Sequence, residues 1–260
     1  MYLSVILITA LLAANVWLLV KYNHYKHKYK QRGLFGRWPI KGISLEDLDP
    51  VFKSNEFGPT QAAEVCFIGR GDINVPGGTS DTEAWVLAVL AKKSTHIFEF
   101  GTCTGKTTYL VARNSPANAQ ITTITLAPDQ LSTYEREADD SKKSTDDAVA
   151  ESAFTRFLYS GTPEEKKIVQ LFGDSKHFNE KPFVKKMDLI FVDGSHAYSY
   201  VLSDSQKALN MIAPNGIILW HDYRGPQDTE DVFKALNVLA KSKKLVHIKE
   251  TSLVAYRADG

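Results

Sequence analysis

The residues best placed to do chemistry sit in one short run, Glu99-Phe100-Gly101-Thr102-Cys103-Thr104-Gly105-Lys106-Thr107. The run leaves an apolar stretch of strand type, His96 to Phe100, and opens a helical pattern from Thr107 to Arg113. Glycines in such a loop let the backbone approach a ligand closely, and the start of the helix offers unpaired N–H groups. A phosphate loop of the NTPase type needs four residues between its first glycine and Gly-Lys-Thr. Here Gly101 and Gly105 enclose three, and Phe100 occupies the place of the glycine. Asp193, after an apolar strand, does imitate the magnesium-holding acid of that class, but Glu99 would face the phosphates with like charge. The dinucleotide pattern Gly-x-Gly-x-x-Gly is also unmet. A positively charged ligand suits the loop better. S-adenosylmethionine carries an ammonium and a sulfonium, and the acid of Glu99-x-Gly101-x-x-x-Gly105 can pair with such a group.

A second set of reactive types lies at the ends of two further apolar runs. Asp188-Leu189-Ile190-Phe191-Val192 leads into Asp193-Gly194-Ser195-His196, and Gly216-Ile217-Ile218-Leu219-Trp220 leads into His221-Asp222. Carboxylate oxygens suit magnesium. A histidine titrates near neutral pH and can take a proton.

These residues need a scaffold that gathers strand ends. The spacing predicts alternating strands and helices: a helix from Ser80 or Thr79 through Leu90, strands at 96–100, 120–126, 168–172, 188–192 and 216–220, and helices at 107–113, 199–212 and 229–242. Residues 129–170 read as a polar, largely helical stretch with a charged excursion at 135–151. Val246 to Ile248 and Ser252 to Tyr256 read as a closing antiparallel hairpin. Alternation of this kind implies an α/β fold, a mostly parallel sheet with helices on both faces.

Residues 76–260 resemble the class I methyltransferases, on the glycine loop together with Asp188 to Tyr198 and Ala213 to Tyr223. The resemblance is to the small-molecule O-methyltransferases, including the catechol and caffeoyl-CoA enzymes, and is closer to the bacterial group acting on sugars and natural products. It implies a Rossmann-like sheet and S-adenosylmethionine as cofactor, with Glu99, Gly101, Thr102, Cys103 and Thr107 around its methionine part. Asp174 and Ser175 would contact the adenine, and Asp193 would lie near the methyl group. It also implies a divalent ion, magnesium, on Asp193, His221 and Asp222, with Asp193, His196 and His221 as catalytic groups and His196 or His221 as the base. One position departs from the family. Relatives end the second strand with an acid that binds both ribose hydroxyls, whereas this chain has Thr125, with Asp129 four residues on. A hydroxyl in place of a charged, two-point contact costs about 1–3 kcal/mol. A catalytically degenerate fold kept as a membrane scaffold is therefore the competing expectation, and hydroxylase-like chemistry on the same cofactor is a third.

The amino terminus predicts location. Tyr2 to Val20 is an uncharged apolar run, and about 20 such residues span a bilayer core. Residues 21–45 then hold seven Lys or Arg and no acid, which by the positive-inside rule puts the following domain in the cytosol. The expected organisation is a single-pass transmembrane anchor at 1–20, a basic stalk and lead-in segment at 21–75, and the domain at 76–260. The net charge is +1, so residues beyond 45 are mildly acidic, which excludes a general nucleic-acid surface. Two cysteines, Cys66 and Cys103, make neither a disulfide framework nor a zinc site. The expected partners are a small-molecule or lipid-linked acceptor and the membrane. A homo-oligomer is compatible with the sequence.

Overall fold

The computed structural model describes residues 2–30, 38–55, 58–64 and 77–259, with side chains in the first helix described for 7–24. The chain forms two compact units, Met1–Pro39 and Ile40–Gly260. The first holds helix α1, Tyr2–Lys30. Its apolar side chains, such as Leu11, Leu12, Trp17 and Leu19, are exposed. The expected transmembrane anchor is not found: among the described residues no helix is long and apolar enough to cross a membrane. The side chains of 2–6 lie outside the described residues, and the stretch 7–24 ends in Lys21-Tyr22-Asn23-His24, which dilutes the apolar run.

The second unit is an eight-stranded sheet with helices. In chain order it contains β1 (Gly42–Ile43), α2 (Leu45–Leu48), a two-strand ribbon of β2 (Ser54–Asn55) and β3 (Gly58–Pro59), α3 (Asp81–Ala91), β4 (His96–Phe100), α4 (Lys106–Asn114) and β5 (Gln120–Thr125). Then come α5 (Lys142–Glu151), β6 (Ile168–Phe172), β7 (Met187–Val192), α6 (Tyr198–Met211), β8 (Ile212–Trp220), α7 (Glu230–Leu239), β9 (Val246–Ile248) and β10 (Val254–Arg257). Across the sheet the order is β6-β5-β4-β7-β8-β10-β9-β1. All neighbours are parallel except β10, which runs antiparallel to both β8 and β9. Central strands buried on both faces read as unbroken apolar runs, because helices cover each side. Leu189, Ile190, Phe191, Ile217, Ile218 and Leu219 are all buried.

The strand order reverses direction at β4, with β5 on one side and β7 on the other. A crevice opens at the carboxyl ends of strands at such a switch point, and every loop singled out by sequence ends there. Helix α3 starts as expected at Ser80, whose hydroxyl accepts from Glu83 N while Glu83 Oε2 accepts from Ser80 N at 2.9 Å. The reciprocal cap satisfies two of the helix's free donors.

Two differences from expectation have physical causes. The compact unit begins at Ile40, so residues 40–55, read as stalk, belong to it. Ile40, Leu48 and Phe52 are buried, β1 adds to the β9 edge, and Asp49 pairs with Lys93 and Arg257. The stretch 129–170 is much less helical than its polarity suggests. It holds α5 and two short 3-10 turns, Pro128–Thr133 and Pro163–Lys167, each begun by a proline. Proline suits a first helical turn but donates no N–H to prolong it.

Candidate active site

Two adjoining clefts occupy the crevice. The first, about 540 Å³, is lined by the ends of β4 to β7 and by the excursion between β5 and β6. Its walls include Gly101, Cys103, Thr125, Tyr134, Glu151, Asp174, Ser175, Asp193, Tyr200 and Asp204. The second is lined by Gly101, Thr102, Cys103, Thr107, Glu151, Asp193, His196, His221, Asp222 and Arg224.

The loop after β4 is shaped by Gly101, at φ +97°. A Cβ there would lie 2.0 Å from the Asp193 carbonyl oxygen, so only glycine lets the β4 and β7 loops meet. Gly105, at φ +77°, caps α4 and is closed in by Phe157 and Tyr159. Thr102 is buried and shares a 2.8 Å hydrogen bond with Thr123 Oγ1.

Glu99 lines neither cleft. It lies beneath the loop, where its Oε2 accepts from Thr123 Oγ1 at 2.7 Å and from the Thr108 hydroxyl. Burial outweighs these bonds and pushes its pKa up to about 8. At neutral pH it is mostly a neutral carboxyl and offers little charge to a cation. Cys103 is no nucleophile, since burial, with Glu151 nearby, drives its thiol up to about 12.

The far end of the first cleft is polar. Asp174 Oδ2 accepts from Tyr200 Oη at 2.7 Å, and Asp174 Oδ1 accepts from Lys176 N. Thr125 sits on this wall at the end of β5, while Asp129 lines neither cleft. Asp204 is fully buried and burial raises its pKa to about 7; Ser175 bonds to it, but its Oδ1 has no partner among the described residues.

Residues 98–223 match a family model described as a methyltransferase domain. The match covers just under half of the chain, and the resemblance to methyltransferases stands on that segment. The fold is shared with a solved structure at a TM-score of 0.50. A structure described as an O-methyltransferase from Klebsiella pneumoniae has 14% identity and a TM-score of 0.50, covering 72% of this chain and 84% of that one. The O-methyltransferase TomG from Streptomyces achromogenes, in complex with SAM, has 17% identity, coverage of 70% and 82%, and a TM-score of 0.48. An O-methyltransferase from Bacillus cereus in complex with SAH has 15% identity, coverage of 70% and 84%, and a TM-score of 0.46. No curated protein sequence matches the chain.

Six of the residues expected at the cofactor, Gly101, Cys103, Thr125, Asp174, Ser175 and Asp193, line the first cleft. The second cleft holds the titratable cluster. Asp193, His196 and Asp222 each offer one atom within 4.8 Å of the others. Asp222 takes a left-handed backbone, φ +61°. Such strain in a non-glycine residue collects at functional sites. His196 Nε2 lies 2.9 Å from Asp222 Oδ2. Burial alone would lower its pKa, but the bond and charge of Asp222, with Glu151 and Asp193, lift it to about 9.

The sequence reading put His221 with Asp193 and Asp222 as a metal ligand. The structure engages both of its nitrogens with carboxylates instead. Nδ1 lies 3.0 Å from Asp193 Oδ1, and Nε2 lies 3.4 Å from Glu83 Oε2. Burial opposes its charge, but Asp193 and Asp222 raise its pKa well above the ordinary value. His221 is therefore buried between Glu83 and Asp193, with the carboxylates favouring its charged form, and His196 is the histidine grouped with Asp193 and Asp222. Glu83 in turn is anchored by Ser252 N at 2.6 Å and Ser252 Oγ at 2.7 Å.

Sequence reasoning missed Glu83, Glu151, Tyr134, Tyr200 and Asp204. Glu83 carried a signal, the Ser-x-x-Glu cap, but that signal speaks of a helix start and not of a partner on β8. The others come from α6 and from the excursion, whose path no local pattern fixes.

Proposed function

We propose that this methyltransferase transfers a methyl group to an oxygen of a small-molecule acceptor, helped by a divalent cation held by Asp193, His196 and Asp222. The observation that carries the reading is the placement of these three groups in the second cleft, which shares Gly101, Cys103, Glu151 and Asp193 with the first. Two carboxylates and an imidazole fit magnesium or a divalent ion that accepts one nitrogen ligand.

Bound S-adenosylmethionine supplies the methyl group: the acceptor oxygen forms the new C–O bond, the S–C bond breaks, and its electron pair stays on sulfur. The residues do the rest. Thr102, Gly101 and the opening turn of α4 define where the methionine end lies, and the Asp174 wall defines the other end. Asp193, held by His221 Nδ1 at 3.0 Å, faces the junction. Holding a cation requires the neutral imidazole, so loading the site releases the His196 proton. The cation's charge favours loss of the acceptor's proton. Without a cation, Asp222 favours the protonated form of His196.

The test is S-adenosylmethionine turnover with a panel of hydroxylated acceptors, in EDTA and with added magnesium or manganese. Activity should fall at least a hundredfold in EDTA, and equally in Asp222→Asn, with S-adenosylhomocysteine binding retained. Full activity of Asp193→Ala and Asp222→Asn in EDTA would end the metal reading. A folded protein that binds neither cofactor form would favour the scaffold reading that Thr125 suggests.

For location, we propose that α1 brings the enzyme to a membrane with the catalytic domain on the cytosolic side. The support is the exposed apolar surface of α1 and the basic residues that follow it. An acceptor delivered in or near lipid then gains local concentration. Recovery of the full chain in the soluble fraction after cell breakage at physiological salt would refute this.

A further inference from the structure

The methyl group must pass from the first cleft to the second, so the sulfonium has to sit where they meet. Four residues line both: Gly101, Cys103, Glu151 and Asp193. Two of them carry carboxylates. That of Asp193 lies 3.0 Å from His221 Nδ1 and is grouped with His196 and Asp222. That of Glu151 has no hydrogen-bond partner among the described residues.

Glu151 is the last residue of α5, on the wall opposite the β4 loop, and that wall reaches the junction because it is held there. Tyr134 stacks on Tyr200 at 4.5 Å with ring planes 7° apart, and Tyr134 Oη bonds to Ser195 Oγ at 2.8 Å. Asp140 accepts from Ser199 N and Ser199 Oγ, each at 2.8 Å, at the start of α6. Ser141 N donates to Asp231 Oδ2 of α7. Glu99, the acid that the loop pattern offers, is below the loop and faces neither cleft.

We propose that Glu151 is the carboxylate that meets the positive sulfonium of S-adenosylmethionine, a cofactor contact delivered by the β5–β6 excursion and not by the glycine loop. Burial raises the proton affinity of Glu151; His196 opposes the rise, and Asp193 and Asp222 add to it. A cation beside it relieves that cost. The same contact makes the site prefer the charged substrate form of the cofactor to the neutral thioether product, S-adenosylhomocysteine. This inference rests on the proposed use of S-adenosylmethionine with the acceptor in the second cleft, and not on the metal.

Calorimetry on the full chain, in EDTA, separates the cases. S-adenosylmethionine and S-adenosylhomocysteine share the ammonium, the carboxylate and the adenosine, so the ratio of their dissociation constants isolates the sulfonium. Glu151→Gln should weaken S-adenosylmethionine about tenfold, in the range of one screened ion pair, and the thioether less than twofold, with Glu151→Asp in between. Equal weakening of both ligands, or no change in either, overturns the assignment. If the unaltered chain binds neither ligand, the cofactor reading fails first. An unchanged thermal unfolding midpoint in Glu151→Gln excludes misfolding as the cause.

Discussion

The two walls of the first cleft are built by different means. One wall is made of strand ends, β4 to β7, tied by a parallel backbone ladder with tight crossings such as Gly101 N to Ile124 O and Asp193 N to Phe100 O, both 2.9 Å. The other is the excursion from 128 to 167, held over the cleft chiefly by side-chain contacts from Tyr134, Asp140 and Lys176. A ladder survives most single substitutions because every residue contributes backbone bonds. A wall pinned by a few side chains depends on each of them, and it is also free to vary.

The strongest challenge to the strand-end wall is Gly101→Ala, the one position where a single methyl group has nowhere to go. Steric overlap with the Asp193 carbonyl and the positive φ should cost about 4 kcal/mol or more. We expect loss of cofactor binding with a large fall in the thermal midpoint; a near-native midpoint would show that the two loops meet less tightly than described. Next comes Glu99, buried in the same wall. Its pKa is about 4.5 when exposed and about 8 in the fold. Between those values the native state holds a proton that the unfolded chain has lost, so stability should fall as pH rises, by up to about 1.4 kcal/mol per pH unit. Denaturant titrations of Glu99→Gln should lose that slope; a parallel pH profile would mean the carboxyl is ionised in place.

The excursion should break at smaller cost. Asp140→Ala removes three bonds, including the cap on α6, and should destabilise by about 1–2 kcal/mol. Limited proteolysis should then cut between 128 and 160 before the sheet is touched, and uniform resistance would argue that both walls are equally firm. Smallest of all, Tyr134→Phe keeps the stack on Tyr200 and loses only the bond to Ser195. A cost of about 1 kcal/mol or less is expected, read as a modest rise in the S-adenosylmethionine dissociation constant; a tenfold rise would make that hydroxyl part of the binding site.

The same contrast explains what could be read from the chain alone. Strands at 96–100, 168–172 and 246–248 stand at the bounds their apolar runs set, the first buried inside the sheet and the second half-exposed at its edge. Asp193, His196 and Asp222 were within reach of sequence reasoning, since they follow such strands directly. His221 was assigned to a metal because the neighbour of a strand end looks available; the structure turns it inward to Glu83, 138 residues away, and no local pattern records that pairing. Glu99 matches the loop pattern, yet strand alternation points its side chain under the loop, toward α4. Glu151 gave no signal, because a polar helix in a charged stretch looks the same whether it faces water or a cleft. The lead-in residues 40–55 looked like a stalk because their few buried side chains, Leu48 and Phe52 among them, are scattered between polar ones.

The placement of β10 between β8 and β9 has a consequence for how the molecule is assembled. As β8 emerges during synthesis, its outer edge has no partner until Val254–Arg257 follows, and β1 waits some two hundred residues for its neighbour β9. An open strand edge of this kind invites pairing with other chains, and contacts between distant segments form slowly. The half of the sheet nearest β6 can assemble early, while the half that carries Asp222 is completed last. The nascent chain therefore frames its first cleft before its second, and its period of greatest aggregation risk falls between the two.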